Sequence, residues 1–193
     1  MLDAIQARVD IVRPAIALIG MWSAAAEDLV LLTAADETKL GSFVRQKPGP
    51  ALGWCQMEPE THTDCWENWI QARPDLARQI SALVPPCHWK ADSAMPSHEA
   101  LIGNFLYSAA MARIKYRRAK PPLPAPGDWP RLAEYWDKHY NADGNRDVEH
   151  CLAMGRACGN PRPPLQSLDE ATYARIAAAL DGMAALRDEP RGW

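Results

Sequence analysis

The chain has 193 residues, with 21 Lys plus Arg against 24 Asp plus Glu and a net charge of −3, so it lacks the surplus of clustered cations by which a nucleic-acid binder neutralises phosphates. With 48% hydrophobic and 23% charged residues it has the composition of a globular protein, long enough for one domain with a proper core or for one plus a short extension, and disorder throughout is excluded.

The opening MLDAIQARVD carries two aspartates and no apolar h-region, so the expectation is a protein made in a cytoplasm without a secretory leader. The most apolar stretch, Ile11 to Leu32, is interrupted by Arg13, Pro14, Glu27 and Asp28. A spanning helix needs about 20 nearly uncharged residues, and no membrane span is expected. Pro14 fits the first turn of a helix to about Asp36. GSFVRQKPGPALG, from Gly41 to Gly53, is too rich in Gly and Pro for a helix and reads as a loop or irregular hairpin. Pro59 then opens a helix to about Ala72, and Pro74 another to about Val84. Ser97 is the expected N-cap of a long helix from His98 to about Arg118, with Ile102, Leu106, Ala109 and Ile114 inward. KPPLPAPGDWP, with five prolines, is extended or turn structure. Short helices are expected at Arg131 to Tyr140 and Asp147 to Arg156, then a break at Asn160 to Pro164. Ser167-Leu-Asp-Glu170 is a capping box for a last helix to about Arg187. The fold class is therefore mainly α with little β, divided into a domain over residues 1–145 and a helical extension over 146–193.

Five cysteines form an odd set without a CxxC pair, so neither a zinc ribbon nor a thioredoxin-type site is read from them. Cys87-His88 and the pair Cys151 and Cys158 are weak metal candidates, and no metal or other cofactor is expected. The carboxylate at a helix end, Glu37, precedes two glutamines in loop-like sequence, Gln46 and Gln56. A carboxyl projecting from a helix end into an apolar cleft can serve as a general acid; a solvated helix end is the plain alternative.

The stretch from Gly53 to Thr61 resembles the Gly-x-x-Gln-x-x-Pro-x-Thr signature of the lytic transglycosylase branch of the lysozyme superfamily. In that family the motif follows a Glu-Ser pair, whose place Glu37-Thr38 takes here, and RQKPGPALGWCQMEPETH looks like the phage-encoded proteins of this type. The segment beginning Asn104-Phe-Leu-Tyr resembles the family helix that opens with Asn beside the active site. Leu132-Ala-Glu-Tyr-Trp-Asp-Lys-His-Tyr-Asn141 is similar to the segment that supplies a tyrosine. The likeness spans about residues 17–141.

The resemblance implies a lysozyme-like fold, Glu37 as acid/base, Gln56 facing the cleft and Tyr135 bonding toward the carboxyl or the sugar. Thr38 keeps the hydroxyl of the commoner serine. Trp54, Cys55 and Glu58 depart from the residues usual at their positions and leave the fine substrate geometry open. Ordinary glycosidases need two carboxylates, whereas this family works with one. The activity implied is cleavage of the bond between N-acetylmuramic acid and N-acetylglucosamine in peptidoglycan, closing a 1,6-anhydro ring. Asp36 and Glu58 would make it a hydrolytic muramidase if either shared the cleft. Asp36 should diverge from Glu37 by about 100°, and Glu58 reads as the cap of the helix at Pro59.

Trp54, Trp136 and Tyr140, inside or beside these segments, are candidate stacking faces for the glycan, with core packing as the alternative. Trp66 and Trp69 read as core, and His62 as a polar residue of the helix surface or N-terminus. The basic run Arg113, Lys115, Arg117, Arg118 and Lys120 would attract anionic wall polymers or be a solvated helix end. The expectation is a phage virion enzyme acting at the host periplasm and cell wall, with peptidoglycan strands and tail or injection proteins as partners. A silent virion structural or adaptor protein is the alternative.

Overall fold

The computed structural model describes residues 2–141 and 147–159, and the expected break at 160–164 and last helix at 167–187 lie outside them. The described chain is mainly helical: α1 (Ala4–Gln6), α2 (Arg13–Leu18), α3 (Ala24–Thr38), α4 (Pro59–Cys65), α5 (Pro74–Ala82), α6 (Ala100–Gly103), α7 (Phe105–Arg117), α8 (Trp129–His139) and α9 (Val148–Gly159). Among the described residues there is no strand, only the isolated bridges Arg45 to Leu52 and Leu52 to Met57. No helix there is long and apolar enough to cross a membrane.

The single helix expected from Pro14 to Asp36 is two helices preceded by a third. Asp3 caps α1 by accepting from Ile5 and Gln6 N–H, both at 3.0 Å. A π-helical segment, Ala7–Val12, leads into α2. Its wider turn comes just ahead of Pro14, whose ring would crowd the carbonyl of an ordinary preceding turn. Gly20, at φ 66°, turns the chain out of α2, and Ser23 restarts it by accepting from Ala26 N–H at 3.1 Å. Helix α3 then runs through the middle of the protein, buried along nearly its whole circumference. It packs on α2, α7, α8 and α9. A helix covered on all sides needs no polar face, which is why its sequence shows only an irregular apolar spacing.

Two acids sit in the buried first turns of α3. Arg8 Nη1 reaches both Glu27 (2.9 Å) and Asp28 (2.8 Å), while Arg13 and Trp22 close on Glu27 at 2.8 and 2.9 Å. Gly127 N–H donates to the other oxygen of Asp28 at 2.9 Å, tying the proline-rich connection to the core. Such charges are tolerable out of water because each carboxylate is paired and hydrogen-bonded.

The long helix expected from His98 is also two. Asn104 is extended between α6 and α7, and its Oδ1 accepts from Tyr107 N–H at 3.0 Å while its amide donates to Leu83 O. Asn104, not Ser97, is thus the cap of the long segment, because its side chain satisfies an exposed N–H that a continuous helix would have satisfied internally. Helix α8 starts at Trp129, two residues before the expected start, with Asp128 as its cap. In α9, Gly155 lies so close to Trp129 and Leu32 that a Cβ there would stand 2.8 and 2.9 Å from them. Cys151 of α9 belongs to the same core as α3 and α8.

Candidate active site

Glu37 is the next-to-last residue of α3 and is 6% exposed. The helix ends there because Lys39 and Leu40 both take the left-handed conformation, at φ 51° and 52°, with Lys39 N–H returning to Ala34 and Ala35. Beside Glu37, the Thr38 hydroxyl lies 2.8 Å from Trp54 O and 3.1 Å from Ala34 O, and it accepts from Gly41 N–H at 3.0 Å. This hydroxyl fastens the end of α3 to the turn at residues 53–56. The turn requires glycine at its head: Gly53 has φ 81°, and a Cβ would meet Leu101 O at 2.3 Å. Cys55 N–H donates to Ser108 Oγ on α7 at 3.1 Å.

Gln56 completes the turn at φ 46°. Its Nε2 donates to Gly53 O at 2.7 Å, and its buried Oε1 has no hydrogen-bond partner among the described residues. Tyr140, 4% exposed, reaches the same turn, its phenol donating to Cys55 O at 2.8 Å. Burial lifts the Tyr140 phenol well above the ordinary tyrosine range, and the nearby Glu37 carboxylate adds to the lift. Tyr116 behaves alike, its hydroxyl 2.7 Å from Thr33 Oγ1. The structure therefore brings Glu37, Thr38, Gln56 and Tyr140 into one cluster.

The other expected residues do not present their side chains to this cluster as expected. Tyr135 donates to Pro121 O at 3.0 Å, so its hydroxyl serves the proline-rich connection and not a carboxyl. Trp54 and Trp136 are 0% exposed; Trp54 stacks on Phe105 with ring centres 5.6 Å apart. Neither offers a face to a sugar, because large aromatic rings yield most free energy when wholly buried. Asn104 is occupied as a helix cap. Gln46 is half-buried in the loop and accepts from Ala51 N–H at 3.3 Å.

Asp36, next to Glu37, turns toward α9, where His150 Nε2 lies 3.9 Å from its Oδ1. Glu58 stands at the N-cap position of α4 but makes no side-chain capping bond. His62 is not on a helix surface: it is wholly buried, its Nε2 2.6 Å from the Tyr107 hydroxyl, which also receives Trp66 Nε1–H at 2.8 Å. Burial, with the charge of His98 adding to it, pushes His62 down to about 3. Trp66 is core as expected, whereas Trp69 is half-buried under the Arg73 guanidinium, 4.1 Å from its ring centre. Among the described residues no three His, Cys, Asp or Glu side chains converge to hold a metal ion.

The basic run after Ala112 does not make a common patch. Arg113 is buried and donates to Met21 O at 3.1 Å, and Arg118 pairs with Asp64 at 2.6 Å. Lys115 turns inward onto Tyr140. The inward turn of Lys115 had no signal in the sequence, because its partner Tyr140 lies 25 residues further along the chain. No protein-family model matches the chain, and neither does any curated protein or solved structure.

Proposed function

We propose that the protein is a phage-encoded lytic transglycosylase that opens peptidoglycan, with Glu37 as its acid and base. The observation that supports this reading is the buried Glu37 carboxyl at the end of α3, fastened by Thr38 to the turn that carries Gln56. These are the residues on which the sequence resemblance rests. Glu37 protonates the glycosidic oxygen of the bond between N-acetylmuramic acid and N-acetylglucosamine, and the leaving sugar departs as an alcohol. The acetamido oxygen of the muramoyl residue stabilises the cationic anomeric carbon. The carboxylate then takes the proton of the muramoyl 6-hydroxyl, whose oxygen closes on the anomeric carbon to form the anhydro ring. One carboxylate suffices because no water enters, in contrast to the two needed for hydrolysis. The Gln56 amide holds that turn closed by donating to Gly53 O. The enzyme would travel in the virion beside tail or injection proteins and act on the host wall.

A second reading is favoured by the burial of Trp54, Trp136 and Tyr140, which removes all three expected stacking faces: a virion structural or adaptor protein without turnover. Incubation of the purified chain with sacculi, followed by mass spectrometry, separates the readings. Anhydromuropeptides are the expected product, and Glu37→Gln abolishes their release while the circular dichroism stays unchanged. Reducing-end products would make the protein a muramidase, and absence of any product would favour the structural reading.

A further inference from the structure

In the basic stretch at the end of α7, Arg113 is engaged by Met21 O, Lys115 by Tyr140 and Arg118 by Asp64. Arg117 differs: it is exposed on the last turn and makes no hydrogen bond or ion pair among the described residues. It borders an open cavity of about 500 Å³ that is also lined from the end of α2 and the start of α5. The apolar wall of this cavity is Ile19, Met21 and Leu76, which belong to the core or pack against it.

A second guanidinium, that of Arg73, stands at the same cavity. The chain reaches it through a π-helical turn, Trp66–Ile70, that follows α4 directly; such wide turns are rare and recur at functional sites. Arg73 Nη1 donates to Trp69 O at 2.7 Å, and the guanidinium lies over the Trp69 indole, 4.1 Å from a ring centre. Its plane is thereby fixed, while Nε and Nη2 make no hydrogen bond or ion pair among the described residues. The carboxylate at the cavity, Asp75, is committed to Arg78 at 2.9 Å. Positive charge is therefore in excess here. Arg113, one turn before Arg117, shows it: burial lowers it from the ordinary arginine range, and the like charge of Arg117 adds to the fall.

Guanidinium donors match the two oxygens of a carboxylate, and an apolar wall beside them selects a ligand whose charge sits on a hydrocarbon body. Asp75 at the rim repels a phosphate dianion more than a monoanion. We propose that this cavity binds a monocarboxylate carrying an apolar group, its carboxylate held by Arg73 and Arg117 and its hydrocarbon on Ile19, Met21 and Leu76. A free acid and the terminal residue of a peptide offer the same chemistry. The site shares no residue with the Glu37 cluster and stands apart from the proposed function.

NMR of the full chain tests it through the Trp69 indole signal, assigned by its loss in Trp69→Phe. Octanoate represents the free acid and N-acetylleucine the peptide end, with N-acetylleucinamide and inorganic phosphate as comparisons. At least one of the two acids should shift the signal to saturation at millimolar concentration, and which of them binds more tightly tells the source of the carboxylate. The amide should not bind. Arg117→Gln and Arg73→Gln should each weaken binding by about tenfold or more, as expected for loss of a charge-assisted hydrogen bond. Arg131→Gln, at an exposed arginine of α8, should leave binding unchanged. Three results would each overturn the proposal: saturation by neither acid, binding of the amide or of phosphate as tight as that of the acids, or wild-type affinity in both Arg117→Gln and Arg73→Gln.

Discussion

Thr38 has one hydroxyl and three backbone groups around it, two carbonyls and one N–H. Its removal would leave Trp54 O and Gly41 N–H without their side-chain partner at the point where α3 meets the turn of residues 53–56. Leaving such buried groups unsatisfied costs about 1–3 kcal/mol. Thr38→Val, which keeps the shape and deletes the donor, should lose about 2 kcal/mol in urea unfolding, whereas Thr38→Ser should stay close to wild type. A Thr38→Val protein as stable as wild type would show that the hydroxyl does not hold the junction. The same local logic explains why Gln56 adopts a positive φ without being glycine: its own amide bonds back to Gly53 O and holds the turn closed.

The elements are set by their ends more than by their faces. Ser23, Asn104 and Asp128 each place a side-chain oxygen on an N–H of the following first turn, and Pro59 and Pro74 occupy first-turn positions where a missing N–H costs nothing. At Asn104 the amide also donates to Leu83 O, so the cap positions α7 against the end of α5. Asn104→Ala should therefore lower stability by about 1 kcal/mol for the cap and more for the orphaned carbonyl. In thermal denaturation, Asn104→Asp should recover only part of this, since a carboxylate accepts from Tyr107 N–H but has no donor for Leu83 O.

Over the whole molecule, the polar groups sealed in the core make stability depend on pH. His62 is folded at about 3 against an ordinary value near 6.5. Between these values the unfolded chain binds a proton that the folded chain refuses, so stability falls as the pH drops from about 6.5 and the loss ends near 3. Glu27 acts in the same direction at the acid end. Burial would raise it, but the bonds from Arg13, Trp22 and Arg8 outweigh burial and lower it; its stabilisation is present above the ordinary carboxylate value and disappears as pH falls through the folded one. Unfolding free energy measured by urea against pH should decline across the histidine window in wild type and decline less steeply in His62→Gln. Equal slopes would mean that His62 takes up its proton in the folded protein.

Local chemistry decided what the sequence alone determined: that the chain is mainly helical, that prolines and Gly-rich text mark its breaks, and that Glu37, Thr38 and Gln56 are near one another along the chain. Caps, missing N–H groups and positive φ act over a few residues and leave their mark in the letters. Tertiary structure decided which side chains face the core. Because α3 is covered on every side, its spacing could not reveal that Glu27 and Asp28 are paired inside. The burial of His62, the turn of Tyr135 toward Pro121 and the folding back of Lys115 onto Tyr140 depend on partners 14 to 45 residues away. Such contacts are chosen by the packing of whole helices, and pairings at that distance have no fixed spacing by which a sequence could announce them.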